Sequence, residues 1–182
     1  MLLLHLCCAP CALPIVEYLT KEKGRKDLIL YFFNPNIYPK EEYEKRLKET
    51  EKLARMHNLK VLTGNYNHKE WINYLKKSLK EKLEFYPENS ERCLVCFSFR
   101  LEKTAELARR LGFEEFATTL SVNRFKNTKF INKYCQDLAD KNKVRYLIFE
   151  GKPEIFYQKG FELSKKYNLY RQKYCGCEFS LK

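Results

Sequence analysis

Leu2-Leu3-Leu4-His5-Leu6-Cys7-Cys8-Ala9-Pro10-Cys11-Ala12-Leu13 opens the chain after Met1. The first five residues form a short, nearly continuous apolar run, the pattern of a parallel strand buried on both faces. Ala12 to Thr20, with Leu13, Val16 and Leu19 at helical spacing, reads as the helix that follows. Cys7, Cys8 and Cys11 then occupy a strand-to-helix turn at the carboxyl end of the first strand, where open α/β sheets bind their ligands.

The same alternation continues. Leu28 to Phe33 repeats the strand signal, Asn34-Pro35-Asn36 breaks it, and Tyr43, Leu47, Leu53 and Ala54 mark a long charged helix. Leu59 to Thr63 is a third strand closed by Gly64. Trp71, Leu75, Leu79 and Leu83 recur every four residues as one helix stripe. Pro87 to Ser90 interrupts that helix. Cys93 and Cys96 then stand just before or within the first turn of a helix carrying Leu101, Ala105 and Ala108, with Gly112 as its C-cap. Phe116 to Leu120 is a fourth strand, Asn127 to Ala139 a helix, and Val144 to Phe149 a fifth strand. Alternating strands and helices imply one α/β domain over residues 1–182: a Rossmann-like parallel sheet of about five strands, helices on both faces, and a metal site at the carboxyl ends of the strands.

Seven of eight cysteines fall into Cys7-Cys8-x-x-Cys11, Cys93-x-x-Cys96 and Cys175-Gly176-Cys177. A tetrahedral zinc site or a cubane iron–sulfur cluster consumes four thiolates, so three remain for a second metal or for redox work. Vicinal Cys7 and Cys8 cannot easily point into one site from an extended turn, which suggests two adjacent centres. Paired spacing allots Cys8, Cys11, Cys93 and Cys96 to a cluster and Cys7, Cys175 and Cys177 to a single metal. Gly176 frees the backbone between the two tail thiols. Cys135, alone on a helix, reads as a small buried hydrophobe.

With no leader-like segment and no apolar stretch approaching a membrane span, the chain reads as cytoplasmic, where thiols stay reduced and serve as metal ligands or catalytic groups. The 35 Lys and Arg against 23 Asp and Glu give a formal charge of +12, interleaved with 13 Tyr and 13 Phe, a balance that favours a polyanion such as nucleic acid. His5 is either a donor behind the metal ligands or a satisfied core histidine. Asn34 and Asn36 after the second strand, and Thr118, Thr119 and Ser121 after the fourth, are the candidate substrate contacts. Glu41, Glu42 and Arg46 are either pocket lining or a solvated helix face.

His5 to Cys11, Phe33-Asn34-Pro35-Asn36-Ile37, Cys93-Leu94-Val95-Cys96 with Arg100-Leu101-Glu102, Thr118-Thr119-Leu120 and Tyr174-Cys175-Gly176-Cys177 together resemble the cobalamin-independent epoxyqueuosine reductases, over nearly the whole chain and in order. The resemblance implies the last step of queuosine synthesis. In that step epoxyqueuosine in the tRNA anticodon loop is deoxygenated with a [4Fe-4S] cluster beside a mononuclear iron, fed by an external electron donor. The chain departs from the family at Phe97, where Tyr is more usual, and at Ser121-Val122-Asn123-Arg124, where Ser-Pro is. Two rival readings also fit parts of the pattern: a thiol–disulfide oxidoreductase built on Cys8-Ala9-Pro10-Cys11, and a zinc module that binds RNA.

Overall fold

The computed structural model describes residues 1–181. Among them are five strands, β1 (Leu2–Leu6), β2 (Leu28–Phe32), β3 (Lys60–Thr63), β4 (Glu115–Thr118) and β5 (Arg145–Tyr146). They alternate with the helices α1 (Ala9–Glu17), α2 (Lys40–Met56), α3 (His68–Ser78), α4 (Glu91–Arg110), α5 (Thr128–Asn142) and α6 (Pro153–Lys166). All strand pairs are parallel, in the order β3-β2-β1-β4-β5. The chain winds outward from β1 to β3 and then returns to the other side of β1, so the winding reverses between β1 and β4. That reversal opens a crevice at their carboxyl ends.

The central position of β1 follows from its composition. Leu2, Leu4 and Leu6 face one way into a core with Leu13, Val16 and Leu53 of α1 and α2. Leu3 faces the other way among Trp71, Leu101 and Ile131 of α3, α4 and α5. Each leucine buried completely contributes about 1.5–3 kcal/mol, so this run is satisfied only between two helical layers. By the two-residue period of a strand, His5 shares the face of Leu3 and looks toward α4.

Several boundaries differ from the sequence reading. Helix α1 begins at Ala9, not Ala12, because Cys8 adopts the extended N-cap conformation (φ −169°, ψ 153°) and Pro10 falls in the first turn, where its missing N–H is no loss. Cys11 is therefore in the helix. The stripe expected through Leu83 stops at Ser78: Leu79 is extended (φ −117°, ψ 145°), and Leu83 begins a separate 3₁₀ turn. Strand β4 ends at Thr118, whose hydroxyl accepts from Leu120 N at 3.2 Å and draws Thr119–Val122 into a 3₁₀ turn. The fifth strand keeps only two ladder residues. Helix α6 was not expected at all. No helix among the described residues is long and apolar enough to cross a membrane.

Candidate metal centre

The turn after β1 brings three sulfurs together. Cys7, Cys8 and Cys11 Sγ all lie within 4.8 Å of one another, and Cys7 Sγ is 3.8 Å from Cys8 Sγ. Neighbouring residues of a strand diverge, but the strand ends at Leu6 and the chain is already turning into α1, so the expected divergence of Cys7 and Cys8 does not occur. Metal–sulfur bonds of about 2.3 Å arranged tetrahedrally put the sulfurs about 3.8 Å apart. The triad thus has the spacing of ligands to a single ion.

The other four clustered thiols are not members of this triad. Cys93 and Cys96 occupy the first two turns of α4, nearly buried. The interactions that raise the Cys96 thiol to about 12 are burial first, and among the rest the charges of Cys177, Cys175 and Cys93. Cys177 is likewise raised, by burial and then by Cys175 and Cys93. These four form no group as tight as the triad. A cubane carries its thiolates on four separate irons and needs them farther apart than one ion does.

The tail that delivers Cys175 and Cys177 is clamped by buried groups. Arg46 is 1% exposed, is paired with Glu42 at 2.7 Å, and donates from Nη1 to Cys175 O at 3.0 Å and from Nη2 to Tyr174 O at 3.3 Å. It belongs to the site's frame, not to a solvated face. Tyr38 N donates to Gly176 O at 2.8 Å. Gly176 itself has φ +132°, and a Cβ there would stand 3.0 Å from Arg46 Nη1. Only glycine fits without strain.

The surroundings suit anionic sulfur. Gln172 Nε2 donates to Cys8 Sγ at 2.9 Å, Asn89 N to Cys93 Sγ at 3.3 Å, Asn123 Nδ2 to Cys11 Sγ at 3.8 Å, and Lys126 Nζ to Cys175 Sγ at 3.4 Å. Burial alone would favour neutral Lys126, yet the sulfurs of Cys175 and Cys7 outweigh it and raise its pKa. Within the triad, the contacts from Cys11 and Cys8 hold Cys7 well below the ordinary thiol range, while Cys11 is pushed well above it by Cys7 and Cys8. Seven soft sulfurs, four of them accepting from N–H donors, with the cations Lys126 and Arg100 nearby, fit an iron–sulfur or thiolate-held metal.

Arg100 is 1% exposed and makes no ion pair among the described residues. Its Nη2 donates to Asn34 Oδ1 at 2.6 Å, while Nε has no partner. Asn34 Nδ2 in turn donates to Leu6 O at 2.9 Å. His5 is fully buried; Thr118 Oγ1 lies 2.8 Å from Nδ1 and Phe33 O lies 3.3 Å from Nε2. Phe33 O can only accept from Nε2, whereas Arg100 Nη2, 3.4 Å from the same nitrogen, can only donate to it; the two contacts call for opposite tautomers, and the Thr118 hydroxyl can serve Nδ1 in either role. Burial first, then the Arg100 charge, lower the His5 pKa to about 3. His5 is a neutral member of the frame.

A cavity of about 960 Å³ opens over the thiols, with Cys7, Cys11, Cys175, Arg100, Asn123 and Lys126 on its wall. Asn34, Asn36, Thr118, Thr119 and Ser121 are not on that wall. They are buried behind it, with the Asn34 and Thr118 side chains bonded as above and Ser121 Oγ donating to Thr118 O at 2.8 Å. Lys126, Asn123 and Gln172 were missed by the sequence reading. Lys126 and Asn123 carried a signal, since they follow β4 at the winding reversal. Gln172 carried only its nearness to Cys175.

The family model for Epoxyqueuosine reductase QueH matches residues 2–182. The Epoxyqueuosine reductase QueH of Streptococcus pyogenes serotype M1 is 36% identical, over 100% of this chain and 70% of that one. Its counterpart in Thermotoga maritima is 38% identical, over 98% and 89%. Among solved structures, the U34-tRNA thiolase NcsA from Methanococcus maripaludis with its [4Fe-4S] cluster superimposes with a TM-score of 0.58 at 13% identity, over 100% of this chain and 61% of that one, a likeness of fold alone. The chain belongs to the Epoxyqueuosine reductase QueH family and is an oxidoreductase.

Proposed function

We propose that this chain reduces epoxyqueuosine in tRNA to queuosine at the thiol-lined cavity, with Cys93, Cys96, Cys175 and Cys177 holding a cubane iron–sulfur cluster and Cys7, Cys8 and Cys11 a single iron. The observation that carries the division is the tight triad of Cys7, Cys8 and Cys11, which includes none of the other four clustered sulfurs. It differs from the allotment by paired spacing, which put Cys8 and Cys11 with the cluster and Cys7 with the single metal. When bound, these groups supply electrons one at a time and a Lewis-acidic position for the epoxide oxygen.

Opening the epoxide to a cyclopentene consumes two electrons and two protons and releases water; the electrons come from an external donor. The chain's own residues bind and compensate. Lys126 and Arg100 offset the negative charge of the thiolates, and the N–H donors from Gln172, Asn89 and Asn123 orient the sulfurs. Asn34, Thr118 and Ser121 support the cavity wall from behind, with Asn36 Oδ1 and Thr119 Oγ1 as its unpartnered buried oxygens. The +12 charge suits a tRNA substrate, and seven reduced thiols suit a reducing compartment such as the cytoplasm.

The test is anaerobic incubation of iron-loaded protein with tRNA carrying epoxyqueuosine and a low-potential chemical reductant, followed by nucleoside mass analysis. Queuosine, lighter by one oxygen atom, should appear with the wild type and not with Cys96→Ser. Unchanged epoxyqueuosine with fully iron-loaded wild type contradicts the proposal.

A further inference from the structure

The mouth of the cavity carries aromatic side chains that the core leaves out. Phe125, Tyr157 and Phe161 are 53%, 36% and 38% exposed, and all three line the same cavity as Cys7, Cys11 and Cys175. They are interleaved with guanidinium groups. Arg124 lies over Phe125 at 4.7 Å and over Tyr157 at 5.1 Å, while Arg171 lies over Phe161 at 4.2 Å and over Tyr157 at 5.9 Å. Phe125 and Tyr157 meet edge to face, 5.3 Å apart at 89°. A lone exposed aromatic needs no explanation. A continuous arginine–aromatic comb on the rim of a reactive cavity does.

The comb is held at a fixed place relative to the thiols. Tyr157 and Phe161 belong to α6, which packs across α1 through Gly160, so closely that a Cβ there would lie 2.6 Å from Pro10 O. Pro14, lacking an N–H, leaves that same carbonyl without its helical donor. The close approach ties α6 to the helix that carries Cys11.

We propose that this comb is the docking surface for the unpaired anticodon loop: Phe125, Tyr157 and Phe161 stack the bases flanking the modified nucleotide while Arg124 and Arg171 take their phosphates. The inference rests on the reductase reading and names the residues that hold its RNA. Flat aromatic faces alternating with guanidinium planes are what splayed, single-stranded bases stack on, and stacking is tolerant of base identity. Charge agrees: residues 123–129 contain Arg124, Lys126 and Lys129 with no acid, and residues 152–173 contain six Lys and Arg against Glu154 and Glu162. An acidic electron-transfer protein is the competing occupant. It would use the cations without requiring the ring faces.

The experiment measures binding of a fluorescently labelled anticodon stem-loop carrying epoxyqueuosine to iron-loaded protein across a salt series. Phe125→Ala, Tyr157→Ala and Phe161→Ala should each weaken binding by about five- to a hundredfold with iron content unchanged. Tyr157→Phe should bind as the wild type, and Phe125→Leu, which keeps apolar bulk without a flat face, should still weaken binding. Arg171→Gln should lower the slope of log affinity against log salt by about one. Alanine variants that bind like the wild type overturn the inference, as do variants that keep RNA affinity but lose electron delivery from a protein donor. Turnover is scored separately. Ring-dependent binding without wild-type turnover sinks the reductase reading and leaves the surface standing, whereas turnover with ring-independent binding sinks the surface alone.

Discussion

The Cys7 sulfur lies 3.8 Å from the Cys8 sulfur, a separation that two ligands of one tetrahedral ion require. Two adjacent residues achieve it only because β1 stops at Leu6 and Cys8 is the N-cap of α1. Cys8→Ser should therefore lose about one iron per chain and keep the broad visible absorption of a cluster. Cys96→Ser should lose that absorption. Anaerobic iron analysis with optical spectra checks both; bleaching by Cys8→Ser would move Cys8 into the cluster.

Cys135 is fully buried in the core beneath α5, and burial pushes its thiol up to about 12. Cys135→Ser should leave iron content and turnover unchanged while costing about 1–3 kcal/mol of stability for placing a hydroxyl in an apolar site where Tyr146 is its polar neighbour. Urea unfolding beside iron analysis separates the two effects.

Gly176→Ala forces a side chain into a φ of +132° against Arg46 and Ile37. Strain of this kind costs about 1–3 kcal/mol, and it falls on the tail that presents Cys175 and Cys177. Iron content should drop along with thermal stability. Gly24→Ala is the control, since its φ is +63° but nothing lies within 4 Å of the new Cβ; it should lose some stability and no iron.

His5 has its pKa lowered from 6.5 to about 3, by burial and then by Arg100. The unfolded chain takes up this proton first as the pH falls, so the stability tied to neutral His5 is complete above pH 6.5 and drains away between there and pH 3. The loss is on the order of a few kcal/mol. For metal-free protein, equilibrium unfolding against pH should show this acid limb, and His5→Gln should flatten it. An unchanged limb in the variant assigns it to the carboxylates.

The sheet was legible because Leu2 to Leu6 and Leu28 to Phe32 are buried on both sides and hold no competing helical period. The three cysteine groups stand out in the sequence by their spacing. The close approach of Cys7 and Cys8 does not, because a side chain's direction at the end of a strand depends on where the helix starts, and Pro10 admitted a start three residues early. Helix α6 escaped because its buried side carries Gly160 and Ser164, residues with poor helix signals whose role is close approach. Lys126 drew no notice in the sequence and Arg100 only as part of the motif around Cys93 and Cys96, since only the fold reveals that sulfur lies beside one and no carboxylate reaches the other among the described residues. The place of Asn34 and Thr118 at the sheet edge was visible in the sequence, whereas their hydrogen bonds to Leu6, Arg100 and His5 were not.

The most direct test of the two-centre site is the Mössbauer spectrum of anaerobically reconstituted protein. Seven thiolates divided as a quartet and a triad predict about four cluster irons to one mononuclear iron, with the single-iron component absent from Cys8→Ser and the cluster component absent from Cys96→Ser. A spectrum containing cluster iron alone at full occupancy, or purified protein holding zinc and no iron, would contradict it.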